Sequence, residues 1–226
     1  MFPFSFIHRL FSGFVRHLSD FLFPKSSRVI ELENLSSIEL LNLLPKPYRE
    51  PDEGVTALFD YTNSVVKEII WEMKYNGNKT LADRLGEILY DNILSVLNEQ
   101  NIFERFHTVL LMPMPISDKR RFERGWNQAE LLAAAIKLRD KAQQFKYLPR
   151  QLAKHRDTLS QTKTSNKSER KENLKNSMRV LNPESVRDRC VVLIDDVVTT
   201  GSTFHEAKRA LRNAGAKKIF CFAVSH

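Results

Sequence analysis

An α/β fold with an at least partly parallel sheet is predicted by three observations. Residues 190–194 (CVVLI) and 218–224 (KIFCFAV) are short apolar runs of buried-strand type. Between them Thr203–Ala214 reads as a helix closed by Gly215. A strand, a helix and a strand with short links make a βαβ unit, whose two strands must run parallel. A third apolar run, Thr108–Met112 (TVLLM), stops at Pro113 and adds another buried strand.

Composition agrees with that class. The chain has 226 residues, 42% of them hydrophobic and 27% charged. That suits one globular α/β domain with a small appendage, and it excludes a disordered, collagen-like or coiled-coil chain. Lys and Arg number 35 against 27 Asp and Glu, a net charge of +8, which favours anionic partners. Cys190 and Cys221 are the two cysteines, too few for a disulfide framework or a Cys-rich zinc site, so the expected compartment is the reducing cytoplasm.

Along the chain, residues 1–24 are expected to form an amphipathic helix. Phe4, Ile7, Leu10, Phe11, Phe14, Leu18 and Phe21 share one face, and His8, Arg9, Ser12, Arg16 and Asp20 the other. Arg9, Arg16 and Asp20 interrupt the apolar run, so it does not reach the ~20 residues of a spanning helix. The plain reading is packing on its own domain or in a homodimer. Membrane contact is not expected, because the polar face carries only two Arg. Residues 25–60, with Pro45, Pro47 and Pro51, read as a connector with one short helix near Ser37–Leu44. The folded domain is expected over 61–226.

Within it, Tyr61–Tyr75 and Leu81–Leu97 show helical periodicity around an Asn76-Gly77-Asn78 turn. Asn127–Lys141 is a further helix, and 145–152 a weaker strand. Residues 153–177 are polar and Lys-rich. The window 150–189 holds 11 Lys and Arg against 5 Asp and Glu, and its net +6 is most of the chain's charge. Such a run is a solvated loop, and also a suitable one to meet phosphates.

Chemistry concentrates in 191–203, VVLIDDVVTTGST. An apolar strand delivers Asp195 and Asp196 at its carboxyl end, where open α/β sheets bind ligands. Thr199, Thr200, Gly201, Ser202 and Thr203 then lead into a helix. Small residues, successive N–H groups and a helix N-terminus together suit a phosphate. A Walker A loop is absent. Carboxylates beside a phosphate nest suit vicinal sugar hydroxyls, so the implied ligand is a pentose 5-phosphate.

This segment resembles the motif by which type I phosphoribosyltransferases bind phosphoribosyl pyrophosphate (PRPP). Three further stretches resemble one branch, the ComF family linked to bacterial competence: LLMPMPISDKRRFERGWNQAELLA (110–133), LAKHRDTLSQTKTSNKSERKENLKNSMRV (152–180) and EIIWEMKYNGNKTLADRLGEIL (68–89). The resemblance covers roughly 60–226. It implies a type I phosphoribosyltransferase-like parallel sheet flanked by helices, preceded by a helical segment. It also implies transfer of phosphoribosyl from PRPP to an acceptor, a nucleobase in most such enzymes, with Mg2+ held mainly by the substrate. Family members often carry a four-cysteine zinc module after an apolar segment ending in Phe-Pro. Here Phe23-Pro24 is followed by Lys25-Ser26-Ser27 with no cysteine before Cys190, so no zinc site is expected.

By the same resemblance, Asp195 and Asp196 hold the ribose hydroxyls and take the catalytic role, and Thr199–Thr203 anchor the 5-phosphate. Met114, Ile116 and Ser117 would offer backbone N–H groups to pyrophosphate; Pro115 has none to give. Arg120, Arg121 and Arg124 would neutralise it, joined by Arg156 and Arg170 from a lid over 153–177. The plainer alternatives are a proline turn, a solvated basic face, a core Trp126 and an N-cap Asn127. His155 and His205 read as exposed histidines, and both cysteines as core. A second function stays open: a non-catalytic PRPP- or nucleotide-binding accessory protein for single-stranded DNA import, with helicase or recombination partners. A purely nucleic-acid-binding role lacks a stacking platform or recognised motif.

Overall fold

A computed structural model describes residues 25–49, 51, 54–154 and 177–226. The helix expected over 1–24 and most of the expected lid, with His155, Arg156 and Arg170, lie outside the described residues. The chain divides into two compact units, Met1–Leu35 and Ser36–His226. In the first, helix α1 (Ser27–Asn34) is capped by the Ser26 hydroxyl, which accepts from Val29 N at 3.2 Å.

The second unit opens with helix α2 (Ser37–Leu43), started by a reciprocal Ser36/Glu39 capping box. Strand β1 (Val55–Phe59) follows. Helix α3 (Ser64–Trp71) is capped by Asn63 and runs into a π-helical turn, Glu72–Asn76. Next come α4 (Lys79–Glu99), α5 (Ile102–Arg105), β2 (Val109–Pro113), α6 (Asp118–Arg124), α7 (Gln128–Arg139) and β3 (Phe145–Tyr147). Then follow β4 (Leu152–Lys154), β5 (Met178–Val180), a 3-10 turn, β6 (Cys190–Val197), α8 (Ser202–Asn213) and β7 (Lys218–Ser225).

Five strands form one sheet in the order β1-β7-β6-β2-β3, and every pairing in it is parallel. The central strand β6 is buried through Ile194. Its side chains alternate. Val191 and Leu193 join a core with Phe204, Ala207 and Leu211 of α8. Val192 and Ile194 therefore face the opposite side, where α7 and α4 lie against the sheet. Helices on both faces explain why the strand sequences are continuous apolar runs instead of alternating ones. Helices α4 and α7 cross at close range. A Cβ placed on Gly86 would stand 2.4 Å from Ala135 Cβ, so only glycine permits this approach.

Strands β4 and β5 pair antiparallel in a separate two-stranded ribbon. Its second strand is tied to α8: Met178 N donates to Glu206 Oε1 at 3.3 Å, and Arg209 pairs with the same carboxylate.

Several expectations change. Within 25–60, Ser27–Asn34 is a helix and Val55–Phe59 is the edge strand of the main sheet. The three prolines mark the approach to that strand, not a connector that continues to Asp60. The strand expected over 145–152 is two strands in two sheets, interrupted around Pro149, which has no N–H for a ladder. The run Asp118–Arg124, read as basic residues after a turn, is a helix. Ala153 and Lys154, expected in the loop over 153–177, are the last two residues of β4.

Candidate functional site

Because the sheet is parallel, the carboxyl ends of β1, β2, β6 and β7 all lie on one edge. The loops leaving β1, β2 and β6 there line a cleft of about 410 Å3. Its floor is the end of β6. Asp195 stands beside Ala223 in register, and Val197 beside Ser225. The Val198 N–H donates to Ser225 O at 2.9 Å, which carries the sheet edge into the following loop.

That loop forms the first wall. Thr199, Thr200, Gly201, Ser202 and Thr203 all line the cleft. Gly201 sits at φ 69°, a left-handed conformation that glycine takes without strain, and it is the residue preceding α8. Among the described residues no side chain caps that helix end, whose first residues Ser202, Thr203 and Phe204 line the cleft. The hydroxyls of Thr200 and Ser202 lie 2.8 Å apart.

The second wall comes from β2 and its successors. Met114, Pro115 and Ile116 line the cleft, with Arg120 and Arg124 from α6. Met114 N donates to Ile194 O at 2.7 Å, which sets the turn against β6. Ser117 does not line the cleft. It is buried, and its hydroxyl caps α6 by accepting from Arg120 N at 3.4 Å. Arg121 turns away to an ion pair with Glu130. The expected pyrophosphate group therefore loses Ser117 as a wall residue.

The third wall was not anticipated. Tyr61, Lys74 and Tyr75 line the cleft, and Arg124 lies over the Tyr75 ring at 5.3 Å from its centroid. Lys74 Nζ lies 2.8 Å from Asp196 Oδ2. Gln128 Nε2 donates to the other oxygen of the same carboxylate at 3.3 Å. Gln128 and Lys154 also reach the cleft.

Three consecutive residues join these walls. Trp126 Nε1 donates to Met73 O at 2.8 Å, Asn127 Nδ2 to Met114 O at 2.9 Å, and Gln128 to Asp196. Asn127 is also the N-cap of α7, its Oδ1 accepting from Ala129 N at 3.0 Å. The cap reading of Asn127 is thus true and incomplete, because the same amide holds the proline turn.

The acidic pair is electrostatically unequal. Burial and the neighbouring Asp196 charge push the Asp195 carboxyl well above the usual range. Burial opposes ionisation of Asp196 too, but the Lys74 ammonium, with hydrogen bonds from Asp195 and Gln128, outweighs it and holds that carboxyl low. Burial would likewise depress Lys74, and Asp196 more than offsets it, so the ammonium persists. Elsewhere both cysteines are buried in strands, with thiols pushed up to about 12 by desolvation. They are core residues and poor nucleophiles. His205 is exposed on α8.

The chain is 30% identical over 180 residues to DNA utilization protein YhgH of Escherichia coli strain K12, covering 79% of this chain and 74% of that protein. It is 28% identical over 172 residues to competence protein F of Haemophilus influenzae, covering 76% and 72%. The chain belongs to the ComF family. The phosphoribosyl transferase domain family matches residues 135–225, which take in β6, the 199–203 loop, α8 and β7. This ComF protein therefore carries a phosphoribosyltransferase-like domain, and its relatives are named for competence and DNA utilization. Among solved structures it matches part of the Bacillus subtilis glutamine PRPP amidotransferase at 18% identity and a TM-score of 0.32, over 51% of this chain and 22% of that one. Among the described residues no helix is long and apolar enough to cross a membrane.

Of the residues singled out from sequence, Asp195, Asp196, Thr199–Thr203, Met114, Ile116, Arg120 and Arg124 meet in this one cleft. Tyr61, Lys74, Tyr75, Gln128 and Lys154 were missed as site residues. The signal available was the Lys74-Tyr75-x-Gly77 string, quoted for its family likeness and not for its chemistry.

Proposed function

We propose that this ComF protein binds PRPP in the cleft and transfers its phosphoribosyl group to an acceptor base, in the service of DNA uptake or utilization. The observation that carries the reading is the convergence, in one cleft, of the acidic pair, the Thr199–Thr203 loop at an uncapped helix end, and the guanidinium groups of Arg120 and Arg124. Each piece matches one part of PRPP: sugar hydroxyls, 5-phosphate and pyrophosphate.

In that reading the loop N–H groups and hydroxyls hold the 5-phosphate. The acidic pair fixes the ribose ring. The Met114–Ile116 turn and the two arginines receive the pyrophosphate charge that grows as the C1–O bond breaks. Displacement at C1 passes through an oxocarbenium-like state, so orientation and water exclusion supply most of what the chain contributes. Mg2+ would neutralise the pyrophosphate and be held mainly by its oxygens and water.

Calorimetric titration with PRPP and Mg2+ tests it on the parent and on the Asp195→Asn/Asp196→Asn double variant. Binding by the parent, lost in the variant, is expected, followed by pyrophosphate release in a screen of candidate bases. No binding by the parent overturns the assignment. Binding without pyrophosphate release for any base favours the second reading, a non-catalytic PRPP-binding accessory protein for single-stranded DNA import.

A further inference from the structure

Lys74 is delivered to the acidic pair by a specific construction. It lies in the π-helical turn that ends α3, and π turns re-aim side chains at functional sites. The turn is held from two sides. Trp126 Nε1 takes the Met73 carbonyl, and the buried Glu72 carboxylate accepts from Asn76 Nδ2 at 2.9 Å. The ammonium then meets Asp196 at 2.8 Å, while Gln128 holds the other oxygen of that carboxylate. Among the described residues Asp195 makes no such ion pair, and Lys74 acts on it only at longer range. Its Oδ1 accepts the N–H of Asp196 at 2.9 Å, and the charged neighbour lies beside it.

We propose that Lys74 sets the hydrogen-bonding character of the acidic pair, fixing Asp196 as an ionised acceptor and leaving Asp195 as the carboxyl that takes up a proton first. Two ionised carboxylates can only accept, whereas a pair that holds one proton offers an O–H donor beside an acceptor. A vicinal diol, each of whose hydroxyls both donates and accepts, fits that arrangement. A pair that holds one proton beside the Lys74 ammonium also carries little net charge, so a polyanionic sugar phosphate meets little repulsion at the cleft floor.

Charged and titratable groups facing the pair from the surrounding elements bear on the balance. Tyr61 stands on the same wall as Lys74, Arg120 and Arg124 come from α6, and Lys154 comes from β4. Tyr61 and Lys74 act on each other electrostatically. Lys74 alone makes the direct contact with Asp196 in this set. It is a positioning residue: it acts through Asp196, not on a ligand.

The consequence for diol binding rests on the PRPP reading, but the charge division does not, and the test separates them. Aspartate is labelled with 13C at the side-chain carboxyl. The ligand-free parent, Lys74→Met and Lys74→Arg are titrated by NMR, with Asp195→Asn and Asp196→Asn assigning the two signals. In the parent, Asp195 is expected to titrate well above the ordinary carboxyl range and Asp196 below it. Lys74→Met should raise the Asp196 titration out of its depressed range, and Lys74→Arg should keep it low. If Lys74→Met fails to fold, Asp196→Asn decides: loss of the neighbouring charge should lower the Asp195 titration. An Asp195 titration no higher than that of Asp196 in the parent, or an Asp196 titration unmoved by Lys74→Met, overturns the inference.

Titration with PRPP and Mg2+ completes it. Lys74→Met should weaken binding about tenfold more at alkaline than at mildly acidic pH, because a proton can replace the ammonium only where one is available. A parent that shows the divided pair but binds no PRPP removes the proposed function and leaves the role of Lys74 intact. A parent that binds PRPP with the two carboxyls titrating together removes this inference alone.

Discussion

Trp126 Nε1 donates to Met73 O at 2.8 Å, 53 residues away in the chain. That bond joins the helix after the proline turn to the π-helical turn carrying Lys74. The indole is half-buried, so its N–H does work that a core aromatic ring would not. Trp126→Phe keeps most of the ring volume and removes the donor. It should cost about 1–2 kcal/mol, the range for losing one partner of a partly buried hydrogen bond, read as a lower denaturation midpoint at unchanged slope. PRPP affinity should fall with it, because Lys74 loses its support. A Trp126→Phe protein with parent stability and parent affinity would remove Trp126 from the architecture of the cleft.

Asn127 carries two bonds with one side chain, the cap of α7 and the tie to Met114 O. The residue is 1% exposed, so water does not replace either partner. Asn127→Ala should therefore cost more than a surface cap, about 2–3 kcal/mol. Asn127→Ser restores the cap acceptor but cannot reach Met114, and it should recover roughly half of that loss. Equal losses in the two variants, measured by urea denaturation, would show that the cap contributes nothing separate.

The main sheet was largely legible because its central strands are continuous apolar runs, a pattern imposed by helices on both faces. The CVVLI and TVLLM runs announced β6 and β2 for that reason. Val55–Phe59 was hidden by three prolines within the preceding ten residues, and a five-residue edge strand has too little sequence to outweigh them. The acidic pair and the Thr199–Thr203 loop were legible because their chemistry is contiguous. Lys74, Tyr61 and Tyr75 were not, because they reach the cleft through tertiary packing from a helix end and a loop. Nothing local distinguishes the lysine in MKYNG from a solvated one. Its burial depends on a π turn and on Trp126, both invisible to helical periodicity.

Helices α4 and α7 meet where Gly86 faces Ala135. A methyl group on Gly86 would place two carbons 2.4 Å apart, and the helices would have to separate. Gly86→Ala should destabilise the domain by about 1–3 kcal/mol even though alanine is the better helix former. Pairing it with Ala135→Gly returns the space and should recover part of the loss. A double-mutant cycle measures the coupling, and strict additivity would show that the two positions do not touch in solution.

The acidic pair predicts opposite stability effects from two chemically identical substitutions. The Asp195 carboxyl is raised in the folded state, so above the ordinary carboxyl range the folded protein binds more protons than the unfolded chain. Stability attributable to it must then fall as pH rises from about 4 toward the raised value. Asp195→Asn removes that liability and should raise the melting midpoint at neutral and alkaline pH, with the gain vanishing near pH 4 and below. Asp196 is lowered, so its contribution is present above the ordinary range and disappears as pH falls through its depressed folded value. Lys74 is raised, and its share persists until pH climbs through its folded value. Asp196→Asn leaves that ammonium without its carboxylate and should cost about 3 kcal/mol at neutral pH. Melting curves of the parent and the two variants across the acid-to-alkaline range check the signs. Stabilisation by Asp195→Asn together with loss of PRPP binding would mark Asp195 as a residue retained at a cost to the fold, and destabilisation by both substitutions would mean that both carboxylates are ionised in the native protein.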